Sequence, residues 1–409
     1  MKLAKMSMVA ALLLGANVYA IDNVKVNGDA NLFYSTTETD AVNAPDLFDE
    51  AASAGQFALN IGMTADLTEA VSAGVNMTAL STLGLHNTLV SNVWEAQDDL
   101  NGGDYWFSEA WLATTTGETT FKAGRQALDT PLAFTETWSI AQNTFDSIVV
   151  INQDLADTTL VGAYIGSSNS GNGALGGGGA GIGSIVSAPD ATTSQGSRYN
   201  NFGQGAYTVG VINNSIKPLT INAWYYEAQH IATGIWASAD LNMDGILAGV
   251  QYATFDPAAA NTTDGSAVAA MLGYEMKDVA TIKVAYSTTD DNTDDVGAGF
   301  NLAGAQSKMY TEMWWNYGNV AAAGTDSYAI TVEGKAMDTD LTAGYYVADR
   351  DRTGTAADQE VTEITLTASR SYGALDASLA IIMDEYDYAP AAMVDDEATT
   401  VQVYLTYNF

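Results

Sequence analysis

The chain has 409 residues, with 49 Asp+Glu against 14 Lys+Arg and a formal net charge of −35. A polyanion on this scale repels nucleic acid and anionic membrane surfaces, so its natural partners are cations. It contains no cysteine, which excludes disulfides, thiolate nucleophiles and Cys-ligated zinc.

The N-terminus reads as a secretory leader. Lys2 and Lys5 precede the apolar run Met6–Leu14, and Val18-Tyr19-Ala20 ends in a small residue. We expect residues 1–20 to be a cleaved signal peptide, since the run is too short to cross a bilayer as a helix. Residues 21–409 are then one barrel, with no linker-like shift in composition to divide them. The Gly-rich stretch Gly171–Gly183 reads as a loop tip. No later apolar run reaches 18 residues, which excludes a helical membrane protein.

From Val24 onward the hydrophobic period is two, the period of a strand with one apolar face. In Val24–Tyr34, Val24, Val26, Ala30, Leu32 and Tyr34 point one way, and Lys25, Asn27, Asp29 and Asn31 the other. Gln56–Asp66 and Val71–Ala79 repeat the alternation across a tight turn at Leu67–Ala70. Further strands are expected at Tyr105–Thr115, Thr119–Gly124, Phe145–Asn152, Thr158–Gly166, Gln204–Ile212, Pro218–Glu227 and Trp236–Asn242. They continue at Gly245–Phe255, Ser266–Met276, Thr281–Thr288, Asp326–Lys335, Thr339–Ala348, Glu360–Arg370, Ala374–Asp384 and Thr399–Phe409. The stretch Ser307–Asn316 would add a nineteenth. An odd count would put the short Ala336–Asp338 turn outside and the long Asp349–Gln359 loop in the periplasm, inverting the rhythm of the rest. The expected fold is therefore all-β: an antiparallel transmembrane barrel of 18 strands with short periplasmic turns and long outer loops.

Charges within strands should point inward, because a basic side chain facing mid-bilayer lipid costs about 2–4 kcal/mol. Lys122, Glu275, Lys283, Glu333, Glu363 and Asp376 all alternate against apolar neighbours. Glu109 shares parity with Tyr105 and Trp111, opposite Trp106, Ala110 and Leu112. Polar inner faces and 18 strands imply a wet lumen. The final strand alternates too, with Gln402, Tyr404, Thr406 and Asn408 on its polar face, and it ends on Phe409. That ending resembles the assembly signal of outer-membrane barrels.

Met1-Lys2-Leu3-Ala4-Lys5, Ala123-Gly124-Arg125-Gln126-Ala127-Leu128-Asp129-Thr130-Pro131-Leu132, Asn301-Leu302-Ala303-Gly304 and Phe409 together resemble the major outer membrane porins of Campylobacter and its relatives, which are related to the OprD-type porins. The resemblance implies an 18-stranded porin, often a homotrimer among outer-membrane lipid and lipopolysaccharide, with the third and seventh outer loops folded into the lumen. Here those loops are Arg125–Thr144 and Thr289–Thr325. The candidate constriction is accordingly Glu109, Lys122, Arg125, Asp129 and Glu136, with Asp290, Asp291, Asp294, Asp295, Lys308 and Glu312. Trp314 and Trp315 either dock inside the barrel or belong to a strand or interfacial girdle. The resemblance also implies an arginine ladder for carboxylates, but this chain has only Arg125, Arg198, Arg350, Arg352 and Arg370, so a long ladder is absent. Lys122 and Arg125 would form one basic wall facing Asp129 and Glu136.

Asp290-Asp291-Asn292-Thr293-Asp294 begins like a calcium loop. However, Asp295 stands where an EF-hand needs Gly, and Asn301 where it needs Glu. What remains is a weak Ca²⁺ site at Asp290, Asn292 and Asp294, against the plainer reading of a solvated acidic surface. His86 and His230 fall in separate outer loops with no local Ser partner, so no enzyme is expected. Three readings stay open: a passive, cation-preferring porin; a solute-selective OprD-like channel; and a structural or adhesive surface barrel.

Overall fold

The computed structural model describes residues 21–91, 105–137, 139–169, 199–259, 262–302, 304, 306–351, 358–389 and 396–409. The expected leader, Arg198, Arg352, Trp138 and the Gly171–Gly183 stretch lie outside them. The described residues contain 18 strands: β1 (Asp22–Thr39), β2 (Ser53–Thr68), β3 (Val71–Ser81), β4 (Tyr105–Thr116), β5 (Thr119–Gln126) and β6 (Phe145–Asn152); β7 (Thr158–Ser168), β8 (Asn200–Asn213), β9 (Leu219–Ala228), β10 (Ala232–Met243), β11 (Ile246–Pro257) and β12 (Gly265–Met276); β13 (Ala280–Thr289), β14 (Thr325–Ala336), β15 (Thr339–Arg350), β16 (Asp358–Tyr372), β17 (Leu375–Ala389) and β18 (Asp396–Asn408). Each pairs antiparallel with its sequence neighbour, and β1 pairs with β18, so the sheet closes. Closure leaves no unpaired edge, the condition for strands to cross a bilayer.

The seam joins the first and last of the described strands. Asp29 pairs with Asn408, Leu32 with Leu405 and Thr39 with Ala398. Gly28 and Phe409 exchange backbone hydrogen bonds, both 2.9 Å. A Cβ on Gly28 would lie 2.6 Å from the Phe409 ring, so the glycine makes room for the terminal aromatic.

The outer wall carries the apolar face of the alternation. Val209, Val250, Leu272, Tyr274, Ile330 and Leu366 are all exposed. Side chains this apolar turned outward on strands around the barrel need a non-aqueous surrounding. Cross-strand tyrosine pairs, Tyr164–Tyr207 and Tyr286–Tyr328, add aromatic contacts at 5.3 and 5.2 Å.

One end of the barrel has tight turns such as residues 69–70, 117–118 and 337–338; the other carries the long loops. The connection between β9 and β10 departs from that rhythm. It is a three-residue hairpin, with His230 at φ 63, where a longer loop was expected. Ser307–Asn316 forms no strand, in agreement with the count of 18.

β4 shows a local departure in parity. The register between β3 and β4 shifts between Asn76 and Met77, where Ser108 is the extra residue. A bulge turns the side chains beyond it by one position. Tyr105 and Phe107 are therefore exposed, while Trp106 is buried among Ala58, Leu80, Ile140, Ala141 and Tyr199. This reverses the expected directions of Tyr105 and Trp106. Strict alternation carried no sign of the extra residue.

Candidate functional site

Two loops enter the barrel and bind each other. The first, residues 127–144, reaches across to β9, where the Tyr226 hydroxyl accepts the Leu132 N–H at 3.2 Å. The second, residues 290–324, meets it there. Leu302 N–H donates to Leu132 O at 2.8 Å. The Asn301 side chain accepts from Phe134 N–H at 3.3 Å and donates to Phe134 O at 2.9 Å. Glu136 lies buried in this junction. Its Oε1 accepts Asn301 Nδ2 at 3.0 Å and Gln306 N–H at 2.8 Å. Gly304 is needed beside it: a Cβ there would sit 2.0 Å from the same oxygen.

The second loop is also fastened to the wall. Glu363 on β16 is fully buried. Its carboxylate accepts the N–H groups of Trp314 (2.9 Å), Trp315 (3.1 Å) and Asn316 (2.8 Å), with Thr365 Oγ1 at 2.8 Å. On the opposite side Gln251 accepts Tyr310 N–H at 3.0 Å and donates to Lys308 O at 2.9 Å, and Tyr310 donates its hydroxyl to Asp240. Trp314 and Trp315 are thus docked inside the barrel and belong to no strand.

The docked loops fill one half of the lumen. Leu128, Leu132, Leu302, Met309, Met313 and Val320 pack into a dry core with inward residues of β8–β12, among them Trp224, Tyr226, Trp236, Ala253 and Ala269. The wet interior expected from polar inner faces therefore holds on one side only. Counting charged positions missed how apolar the inner faces of β9–β12 are.

The other half holds a cavity of about 750 Å³. Its strand wall comes from β1 (Asp29, Asn31), β2 (Asn60), β3 (Asn76, Thr78), β4 (Ser108, Glu109), β17 (Ser378) and the polar face of β18 (Gln402, Tyr404, Thr406, Asn408). The loops add Gln142 and Thr144 from one side and Gln306, Glu312, Trp314 and Trp315 from the other. The lining holds three carboxylates, many amides and hydroxyls, and no Lys or Arg among the described residues.

The basic residues are held elsewhere. Arg125 makes a two-point contact with Asp146, 2.8 and 3.1 Å, and its guanidinium lies 3.4 Å from the centre of the Tyr199 ring. Lys122 sits 4.2 Å over the Trp111 ring, whose Nε1 donates to Glu109 at 2.9 Å. Lys308 pairs with the exposed Asp129. Arg350 pairs with Asp295 at 2.5 Å.

Of the residues singled out from sequence, Glu109 and Glu312 border the cavity. Asp129, Glu136 and Lys308 belong to the junction between the loops. Lys122 and Arg125 do not line the cavity, and their partners are Trp111 and Asp146, with no contact to Asp129 or Glu136. Asp290, Asp291, Asp294 and Asp295 are exposed at the long-loop end. There Thr263 donates its N–H to Asp294 (2.7 Å) and its hydroxyl to Asn292 (3.1 Å), and Ser266 donates to Asp290 (2.5 Å). No group of three Asp, Glu or His converges to hold a metal among the described residues.

Glu312 is half-buried at the edge of the cavity. Loss of water pushes its carboxyl up to about 8, and the nearby charge of Glu136 pushes the same way. Hydrogen bonds from Ser307 and from Gly318 N–H (2.7 Å) offset this in part.

No family model and no curated protein matches the chain. Solved structures do. The chain is similar to OccK3 (OpdO) of Pseudomonas aeruginosa, with TM-score 0.69 and 12% identity over 97% of this chain and 99% of that one. It is similar to OccK8 (OprE) of the same organism, with TM-score 0.68 and 13% identity over 96% and 99%. The outer membrane protein OpdK, also from that organism, matches with TM-score 0.68 and 11% identity over 94% and 98%; OpdK has also been solved with vanillate. At these identities the likeness establishes the fold, a closed 18-stranded barrel.

Proposed function

We propose that this chain is an outer-membrane channel through which ions and small hydrophilic solutes diffuse, with cations favoured over anions. The observation that carries the reading is the chemistry of the lumenal cavity. Asp29 and Glu109 stand in its wall with no basic side chain among its described lining. Acid-lined constrictions favour cations. The likeness to an outer membrane protein of the same strand architecture supports the setting. Vanillate, the molecule bound to OpdK, carries a carboxylate. In this cavity such a group would meet Asp29 and Glu109 without a basic partner. Assembly as a homotrimer and contact with lipopolysaccharide belong to the same reading, and crosslinking in whole cells tests them.

The decisive measurement is the reversal potential of purified, folded protein in a planar bilayer across a KCl gradient. The expected sign is that of K⁺ over Cl⁻. Replacing Asp29→Asn together with Glu109→Gln reduces that potential, because these carboxylates set the local field. An anion-preferring sign would reject the cation preference. No channels from folded protein would reject the channel itself and favour a surface-structural barrel.

A further inference from the structure

The cavity bears unsatisfied groups, and they are neutral. Asp29 already accepts Asn31 and Asn60, the latter at 2.8 Å, and Glu109 accepts Trp111 Nε1. By contrast, Gln402 borders the cavity while fully buried, and its Nε2 has no hydrogen-bond partner. The Oδ1 of Asn76, on another strand of the same wall, also has none. A buried polar group left unpaired costs about 1–3 kcal/mol. These two are an amide donor and a carbonyl acceptor. A hydroxyl, which both donates and accepts, answers both kinds of group.

Aromatic side chains frame the same space. Trp314 and Trp315 enter from the docked loop, and Tyr346 and Tyr404 from the strands. Their ring faces carry negative partial charge and suit the weakly positive C–H edges of a saturated ring. The volume, about 750 Å³, falls in the range of about 300–1,000 Å³ typical of small-molecule sites.

We infer that this cavity is a binding subsite for an uncharged, polyhydroxylated ring solute of sugar type, held by amides and aromatic faces. The inference rests on the channel reading and deepens it: ions pass, but a neutral polyol pauses. A solute carboxylate lacks a cationic partner here, and a solute ammonium leaves Gln402 Nε2 unanswered.

Binding is measured apart from conduction. Saturation-transfer NMR on the full chain folded in detergent, with methyl glucoside as probe, is expected to give a saturable signal that excess glucose removes. Gln402→Leu, whose barrel is checked by circular dichroism, should weaken binding about five-fold. In planar bilayers glucose should lower the KCl current along a saturation curve. A signal that benzoate or ethanolamine competes away while glucose does not would overturn the assignment. So would a glucose signal that never saturates, even where the channels conduct normally. Absence of conductance with saturable glucose binding would reject the channel reading and leave the subsite standing.

Discussion

Two carboxylates bear on the second loop, Glu363 from the wall and Glu312 from within the loop, and they should behave oppositely when altered. Glu363 accepts three backbone N–H groups in sequence, from Trp314, Trp315 and Asn316. Glu363→Ala leaves those donors without their acceptor. Each buried unpaired donor costs about 1–3 kcal/mol. We expect the loop to loosen, visible as faster protease cleavage between residues 306 and 318 and noisier single-channel current. Glu312 differs, because burial holds its carboxyl well above the usual range, at about 8 against 4.5. The docked loop therefore binds this proton more tightly than the released loop does. Docking is most stable below about pH 4.5, weakens as pH rises to about 8, and is constant beyond that value. Single-channel open-state noise should rise across that window. Glu312→Gln should flatten the dependence, and an unchanged profile in that variant would reject the assignment.

At the scale of elements, residues 290–324 work as an insert held by β10, β11, β16 and the first docked loop. Replacing 301–316 by a short Gly/Ser linker removes most of these contacts but no strand. The barrel should still fold and show heat-modifiable mobility, while single-channel conductance rises severalfold. All 18 strands were legible in the sequence, because period-two alternation is enforced residue by residue wherever one face meets lipid. Their ends were less so: β1 runs to Thr39 and β17 to Ala389, through polar residues that the pattern alone reads as loop. The bulge at Ser108 was invisible for a related reason: an inserted residue changes parity without changing composition. The docking of Trp314 and Trp315 was legible as one of two alternatives, since adjacent tryptophans on a loop need cover.

At the scale of the molecule, the lumen divides into a packed half and an open half. The polar faces of β1, β2, β3 and β18 were legible as inward-facing. Which sector of the circumference stays open was not, since it depends on which way two loops lean. That direction is set by contacts separated by more than 160 residues in sequence, such as Asn301 with Phe134. Neutralising Asp129, at the edge of the junction and paired with Lys308, should therefore change ion preference less than Asp29→Asn does. Reversal potentials of the two variants measure that difference.

The open half is walled by the seam, where β1 meets β18 and Phe409 settles on Gly28. A chain halted one strand short would have most of its apolar belt and most of its hydrogen bonds, yet it would lack the polar face of β18 that walls the cavity. The cavity is thus a property of the closed barrel, since two of its walls, β1 and β18, become neighbours only at the seam.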